Sequence, residues 1–284
     1  MCNYQYRNNF NVLGKIFYLK STENNLSFYS CIFIFILFTG CVGYQYVSSP
    51  LYIPVNEKKG ELKSNISYTG LQVGYSISNN FSIFGDYDFM VREYRSNWPG
   101  LSSEHDGHIS GRYGSNDYNF GVSIFKTHNN FFTEILLAGG IGDMFYNNFM
   151  ATYLYNSFYL TVNKKNLYIQ PVLGYKYSDA KHKIEFGLFS RFSYTRYTDI
   201  NVTIFKPDNA EVYLDNVYFV GKKNLDLFFI EPGFFFRDGF EHIKYQFNIT
   251  PTISLNSKHV KYRFFNLFFG IFLNFDLLNK TLKK

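Results

Sequence analysis

Glu104-His105-Asp106-Gly107-His108 gathers, within five residues, four side chains able to hold a metal ion or move protons. The spacing matches no zinc motif, and a polar stretch between patterned segments reads first as a surface loop, so no metal site is assigned to it. Asp86 and Asp88 stand two apart, which on a strand points both carboxylates to one face. With His105 or His108 arriving from the loop they would make the paired acids and imidazole of a rim-located protease. Paired with Arg191 or Lys244 they would make inward ion pairs, and that second arrangement is the expected one. No glycine-rich phosphate loop, nucleophile elbow or Cys-His pair occurs, so the chain is expected to be no enzyme and to need no cofactor.

The cysteines are Cys2, Cys31 and Cys41, and none follows, which excludes a disulfide framework or a thiolate zinc site from the remaining body. Leu26 to Gly40 is an apolar run preceded by Lys15 and Lys20, too short for a transmembrane helix of about 20 residues and laid out like a secretory signal. The polar lead of about 25 residues is longer than such signals carry, so translation is expected to start downstream of Met1. Phe38-Thr39-Gly40-Cys41 resembles the lipobox of bacterial lipoproteins, with Phe38 where Leu is usual and Leu37 one place earlier. That resemblance implies acylation of Cys41 as the new first residue, a stable anchor when several chains are attached. Val42-Gly43-Tyr44-Gln45 lacks an acidic cluster that would direct it to the cell surface, so a tether on the periplasmic side is expected.

The elements that must position these residues come from a period of two. From His242 to Leu255 every odd position is apolar or Pro and every even one polar, a pattern that arises by chance roughly once in ten thousand windows. Similar alternation recurs from Gly60 onward and predicts about ten strands: 61–69, 70–78, 81–92, 117–126, 131–145, 166–178, 183–197, 224–237, 240–255 and 262–276. Aromatics form 21% of the chain, which suits strands. The tight connections at 78–80, 127–130, 179–182 and 237–240 are rich in Asn, Asp and Gly, whereas 93–116, 146–165 and 198–223 are long.

Short turns on one side and long links on the other fit an all-β, antiparallel up-and-down transmembrane β-barrel of about ten strands, with both ends on the short-turn side. A soluble barrel would turn its apolar rows inward and carry many charges outside. Here the polar rows are mostly Ser, Asn, Thr, Gln and Gly, with isolated Glu134, Glu185, Arg191, Glu231 and Lys244, as suits a narrow hydrated interior. The resulting plan is a lipoprotein-type signal peptide over 1–40, a lipidated linker over 41–60, the barrel over 61–277 and a tail over 278–284. The net charge of +6 falls to +4 without residues 1–40 and forms no basic run, so nucleic acid is no expected partner.

Tyr52-Ile53-Pro54 with Glu57-Lys58-Lys59-Gly60-Glu61, Ile169-Gln170-Pro171 and Ile230-Glu231-Pro232 mark strand starts. On these the chain resembles the small outer-membrane β-barrel proteins of Bacteroidetes, many of them lipoproteins. The resemblance covers nearly all of the mature chain and implies the bacterial outer membrane as location, with its lipid bilayer, the barrel-assembly machinery and the lipoprotein-sorting machinery as partners. Barrel chains commonly end on an aromatic, whereas here a tail to Lys284 follows Phe275. The expected role is non-enzymatic, with surface binding through the long loops. The alternatives are a narrow pore for small solutes, opposed by a lumen crowded with Phe84, Phe189, Phe229, Phe268 and Phe272, and the rim protease.

Overall fold

A computed structural model describes Tyr46, 56–97, 108–150, 157–178, 182–205, Phe219, 221–256, Tyr262 and 264–276. The strands are β1 (Glu61–Ser67), β2 (Gly70–Ser76), β3 (Phe81–Asn97), β4 (His108–His128), β5 (Phe131–Met150), β6 (Ser157–Ser178), β7 (Lys183–Phe205), β8 (Leu225–Gly239), β9 (Ile243–Pro251), β10 (Ile253–Ser254) and β11 (Phe265–Asp276). Strands β1 to β9 each pair antiparallel with their neighbours in sequence, β10 pairs with β8, β11 pairs with both β9 and β1, and the sheet closes on itself. β9 and β10 are one stave interrupted at Thr252, since Phe234↔Ile249 and Ile253↔Ile230 keep the same register. The break follows Pro251, whose nitrogen has no hydrogen to give the ladder. The fold is therefore a closed antiparallel β-barrel of ten staves, as the alternation predicted.

The expected faces hold. Lys244, Gln246, Asn248, Thr250 and Thr252 are buried inside, while Ile243, Tyr245, Ile253 and Leu255 are exposed outside. Glu134, Glu185, Arg191, Glu231 and Lys244 all point inward and are buried, and so are the five phenylalanines expected to crowd the lumen. The connections after β2, β4 and β8, the start of β1 and the end of β11 share one end of the barrel, since Glu61 faces Asp276 and the two-residue turn after His128 joins β4 to β5, whereas the two-residue turn from β1 to β2 lies at the other end. Asn129 takes φ 54° there, a left-handed conformation that Asn tolerates.

Five strands are longer than their alternation suggested. β3 to β7 run from 17 to 23 residues, against seven in β1 and β2. The expected long links 93–116, 146–165 and 198–223 therefore shrink to 98–107, 151–156 and 206–224, and the residues they lose extend the barrel wall on one side.

The outer surface explains the miss. Apolar residues line it from Phe131 to Ile141, from Tyr177 to Leu167 and from Ile184 to Tyr194, eleven residues in each case. Beyond that line the outside turns polar, with Asp143, Lys165, Asn163, Arg196 and Asp226 exposed. The inside turns apolar at the same height. Tyr113, Met144, Tyr146, Leu160, Val162, Tyr197, Leu225, Leu227 and Phe229 form one buried cluster there. The alternation thus continues through the tall wall with its faces exchanged. A β-bulge opposite Thr161 and Asn163, with Asp199 at φ 52°, lies in this stretch, and Asn163 Nδ2 donates to Asp199 Oδ2 at 2.9 Å.

Aromatic rings gather at both edges of the apolar belt. Tyr87 stacks on Tyr118 at 4.7 Å and Tyr194 packs on Phe228 at 5.0 Å near the polar line. Phe131 meets Tyr175 edge-on at 5.0 Å near the short turns.

Candidate functional site in the barrel interior

The interior is filled in layers, each set by which inward residues the register brings to one height. Nearest the short turns lies a charged layer. Glu185 pairs with Lys244 and, at 3.1 Å, with Arg237, and Lys63 pairs with Glu61 at 3.1 Å. The Arg237 guanidinium also sits 3.8 Å over the Phe272 ring and donates to Gln246 at 2.7 Å. These groups are buried, so mutual pairing and ring contact must replace water.

An aromatic layer follows. Phe84, Phe132, Phe189 and Phe235 each face a glycine on the next strand: Gly121, Gly174, Gly233 and Gly187 in turn. A Cβ on any of these four glycines would overlap the facing ring, so the absence of a side chain is what lets the rings lie across the lumen. Leu136, Ala138, Tyr168 and Val172 complete this cluster.

Above it lies a polar layer. Arg191 donates to Glu231 at 2.5 Å, Lys164 to Asp117 at 2.6 Å, and Asn119 to Asp86 at 2.7 Å. A cavity lined by Tyr46, Asp117, Asn119, Lys164, Tyr168 and Arg191 opens among them, with room for a water or two. The exchanged apolar cluster then caps the barrel on the long-link side.

This arrangement corrects one sequence expectation. Asp86 and Asp88 are buried inside, but neither meets Arg191 or Lys244, which the register places against Glu231 and Glu185. Asp86 takes its bond from Asn119, directly opposite. The two aspartates also lie far along the β3–β4 ladder from His108. Asp88 faces Asp117 while His108 faces Asn97, nine residues along the ladder or about 30 Å. His105 and its neighbours 104–107 lie outside the described residues, as do Cys41, the expected signal 1–40 and the tail 278–284. Among the described residues no group of three or more His, Cys, Asp or Glu side chains is placed to hold a metal ion.

Two interior residues carried no sequence signal. Tyr46 and Asn56 belong to the expected linker, yet both are buried in the barrel. The Tyr46 ring stacks on Phe229 with centroids 3.8 Å apart, and its hydroxyl donates to Glu231 Oε1 at 3.2 Å. Asn56 Nδ2 donates to Ser82 Oγ at 2.9 Å and to Glu134 Oε1 at 3.3 Å. Only the partners' distant positions in the fold reveal them.

Where the chain turns from Asn56 into β1, the Glu57 and Lys58 amides donate to Glu61 Oε2 at 2.7 and 3.4 Å, and Gly60 takes φ 85°. Glu57 pairs with Lys176 at 2.8 Å and Lys58 with Asp276 at 2.5 Å. Burial opposes the Glu57 charge, but Lys176 and Lys63 outweigh it and hold the carboxyl below its ordinary pKa. The hydrogen bond to Asp276 raises the Lys58 pKa.

No family model matches the chain, and no curated protein matches it.

Proposed function

We propose that this chain is a non-enzymatic β-barrel lipoprotein of a bacterial outer membrane, anchored additionally through an acylated Cys41, with its tall wall and links projecting as a binding surface. One observation carries the reading. An apolar belt encircles a polar and aromatic interior, where a water-soluble barrel would do the reverse. Eleven residues along a strand rise about 33 Å, and a tilt of about 40° reduces this to about 25 Å, the height of the apolar band in outer-membrane barrels. Rings at the belt's two edges fit interfacial girdles. An exposed apolar surface of this extent on a soluble monomer would drive association.

The filled interior argues against a pore, since charged, aromatic and apolar layers each cross the lumen. The distance between Asp88 and His108 along the ladder argues against the rim protease. Kinship with the Bacteroidetes barrels and the dependence on assembly and sorting machinery belong to the same proposal.

The test is cell fractionation with palmitate labelling of the wild type and Cys41→Ala, read with heat-modifiable gel migration. Recovery in the outer membrane, label lost in Cys41→Ala and a heat-sensitive fast-migrating form are expected. A detergent-free soluble monomer would refute the membrane reading, and label retained in Cys41→Ala would refute the anchor.

A further inference from the structure

Backbone hydrogen bonds across the β8–β9 seam fall on alternate residue pairs. At its two ends Phe240 donates to the Ile243 carbonyl at 2.8 Å and Leu255 to that of Phe228 at 2.9 Å, so even residues on the β8 side bond odd residues on the β9 side. Even residues of the β9 stave turn to β11 instead, as Thr252 does in donating to Phe264 at 2.8 Å. The pairings Phe234↔Ile249 and Ile230↔Ile253 keep one register on either side of a single level. At that level, midway between them, Pro232 and Pro251 stand face to face.

Neither proline has an N–H, so both bonds that this pair would exchange are missing, and its two carbonyls have no donor across the seam. Bonded pairs that ordinarily recur every two residues are here four residues apart, about 13 Å of wall. The gap lies in the apolar belt, with Phe234 and Ile253 exposed on the outer face beside it.

Behind the gap the wall is thin. The register sets Thr250 against Gly233, which contributes no side chain, and the Phe189 ring lies over that glycine. Thr250 is buried, and its hydroxyl makes no hydrogen bond. From inside, the Thr252 hydroxyl reaches across the seam to Glu231 Oε1 at 3.4 Å, a long contact, while Arg191 and Tyr46 hold the same carboxylate. A side-chain latch thus stands where two backbone bonds would be.

We propose that the wall parts between β8 and β9 at this proline pair and admits the head group of an acyl-chain amphiphile from the bilayer to Thr250 and Glu231. Parting breaks the long latch alone, whereas a fully laddered seam of the same length would lose two backbone bonds as well. The two prolyl carbonyls and the Thr250 hydroxyl offer acceptors, which suits a head group carrying a hydroxyl or an amide N–H. The weakness of the seam follows from the register; its opening toward hydrocarbon rests on the proposed membrane location.

Hydrogen exchange on the full-length chain refolded into lipid vesicles tests the parting. The amides of Ile249 and Ile253, which flank the gap, are expected to exchange roughly tenfold faster than that of Leu137 in the belt of β5. Pro232→Ala with Pro251→Ala returns both donors and is expected to slow them to the Leu137 rate, and Pro171→Ala, elsewhere in the belt, is expected not to. Equal exchange at the seam and at Leu137 overturns the parting, and the wild type alone decides this if the double variant fails to fold. For access, Thr250→Cys in a Cys2→Ser, Cys31→Ser, Cys41→Ser background is treated with a maleimide linked through an amide to a long acyl chain, or with a charged, water-soluble maleimide. The acyl probe is expected to label position 250 and the charged probe is not, with labelling lost when both prolines are Ala. Fast exchange without acyl labelling would keep the parting and overturn the access, and labelling by the charged probe instead would put the route through the lumen and overturn the lateral entry. A detergent-free soluble monomer with a fast-exchanging seam would overturn the membrane reading and the lipid access while leaving the weak seam in place.

Discussion

The belt and the tall wall above it share the same strands and the same period of two, yet they are built as opposites. In the belt, Leu137, Leu167 and Leu188 face outward while Glu185, Arg191 and Glu231 face inward. Beyond the line of Asp143, Lys165 and Arg196, the outside is polar while Leu160, Val162 and Leu227 pack inside. The strands do not change geometry at the line. What changes is the solvent each face is suited to, and under the proposed membrane reading the exchange marks the level at which hydrocarbon gives way to water. A sheet in one solvent throughout has no reason to exchange its faces partway along a strand.

Removing Glu185 makes the largest expected break in the comparison. Glu185→Ala strands Lys244 and Arg237 inside the belt and should cost about 3–5 kcal/mol, measured by urea unfolding of the refolded barrel in detergent. Next, Leu137→Arg places a charge mid-belt and should cost about 2–4 kcal/mol in lipid vesicles. Asn163→Arg, outside the tall wall, should stay within about 0.5 kcal/mol in the same assay, and equal costs at the two positions would erase the distinction.

Gly174→Val sharpens the interior half of the comparison. The new side chain collides with the Phe132 ring and should cost about 1–3 kcal/mol, with Phe132→Leu recovering part of it in a double-mutant cycle.

The smallest effect lies outside both regions. Glu57 is held ionised in the folded state by Lys176, so its contribution is present at neutral pH and is lost as pH falls below the ordinary carboxylate range. Glu57→Gln should therefore lower thermal stability slightly at pH 7, by no more than about 1 kcal/mol, and leave it unchanged at strongly acidic pH.

The ten staves, their inward and outward faces and the tight turns were legible because each is local. His242 to Leu255 states its own faces, and Asn129 its own turn. The upper halves of β3 to β7 were hidden because their Asn, Lys, Arg and Asp look like loop composition, and the faces exchanged in β5 to β7 leave no continuous apolar row to follow. Ion-pair partners were not legible either, since Arg191 meets Glu231 only through the β7–β8 register. Nothing in Tyr46 or Asn56 announces an interior position, because their partners lie 185 and 26 to 78 residues away.

The central claim is that the belt's outer side chains meet hydrocarbon and those of the tall wall meet water. Spin labels on single cysteines at positions 137 and 163, in a chain otherwise free of cysteine and reconstituted in lipid vesicles, test it directly. The label at 137 should be reached by oxygen and shielded from a water-soluble paramagnetic chelate, and the label at 163 should show the reverse. Equal access of the chelate to both would contradict the account.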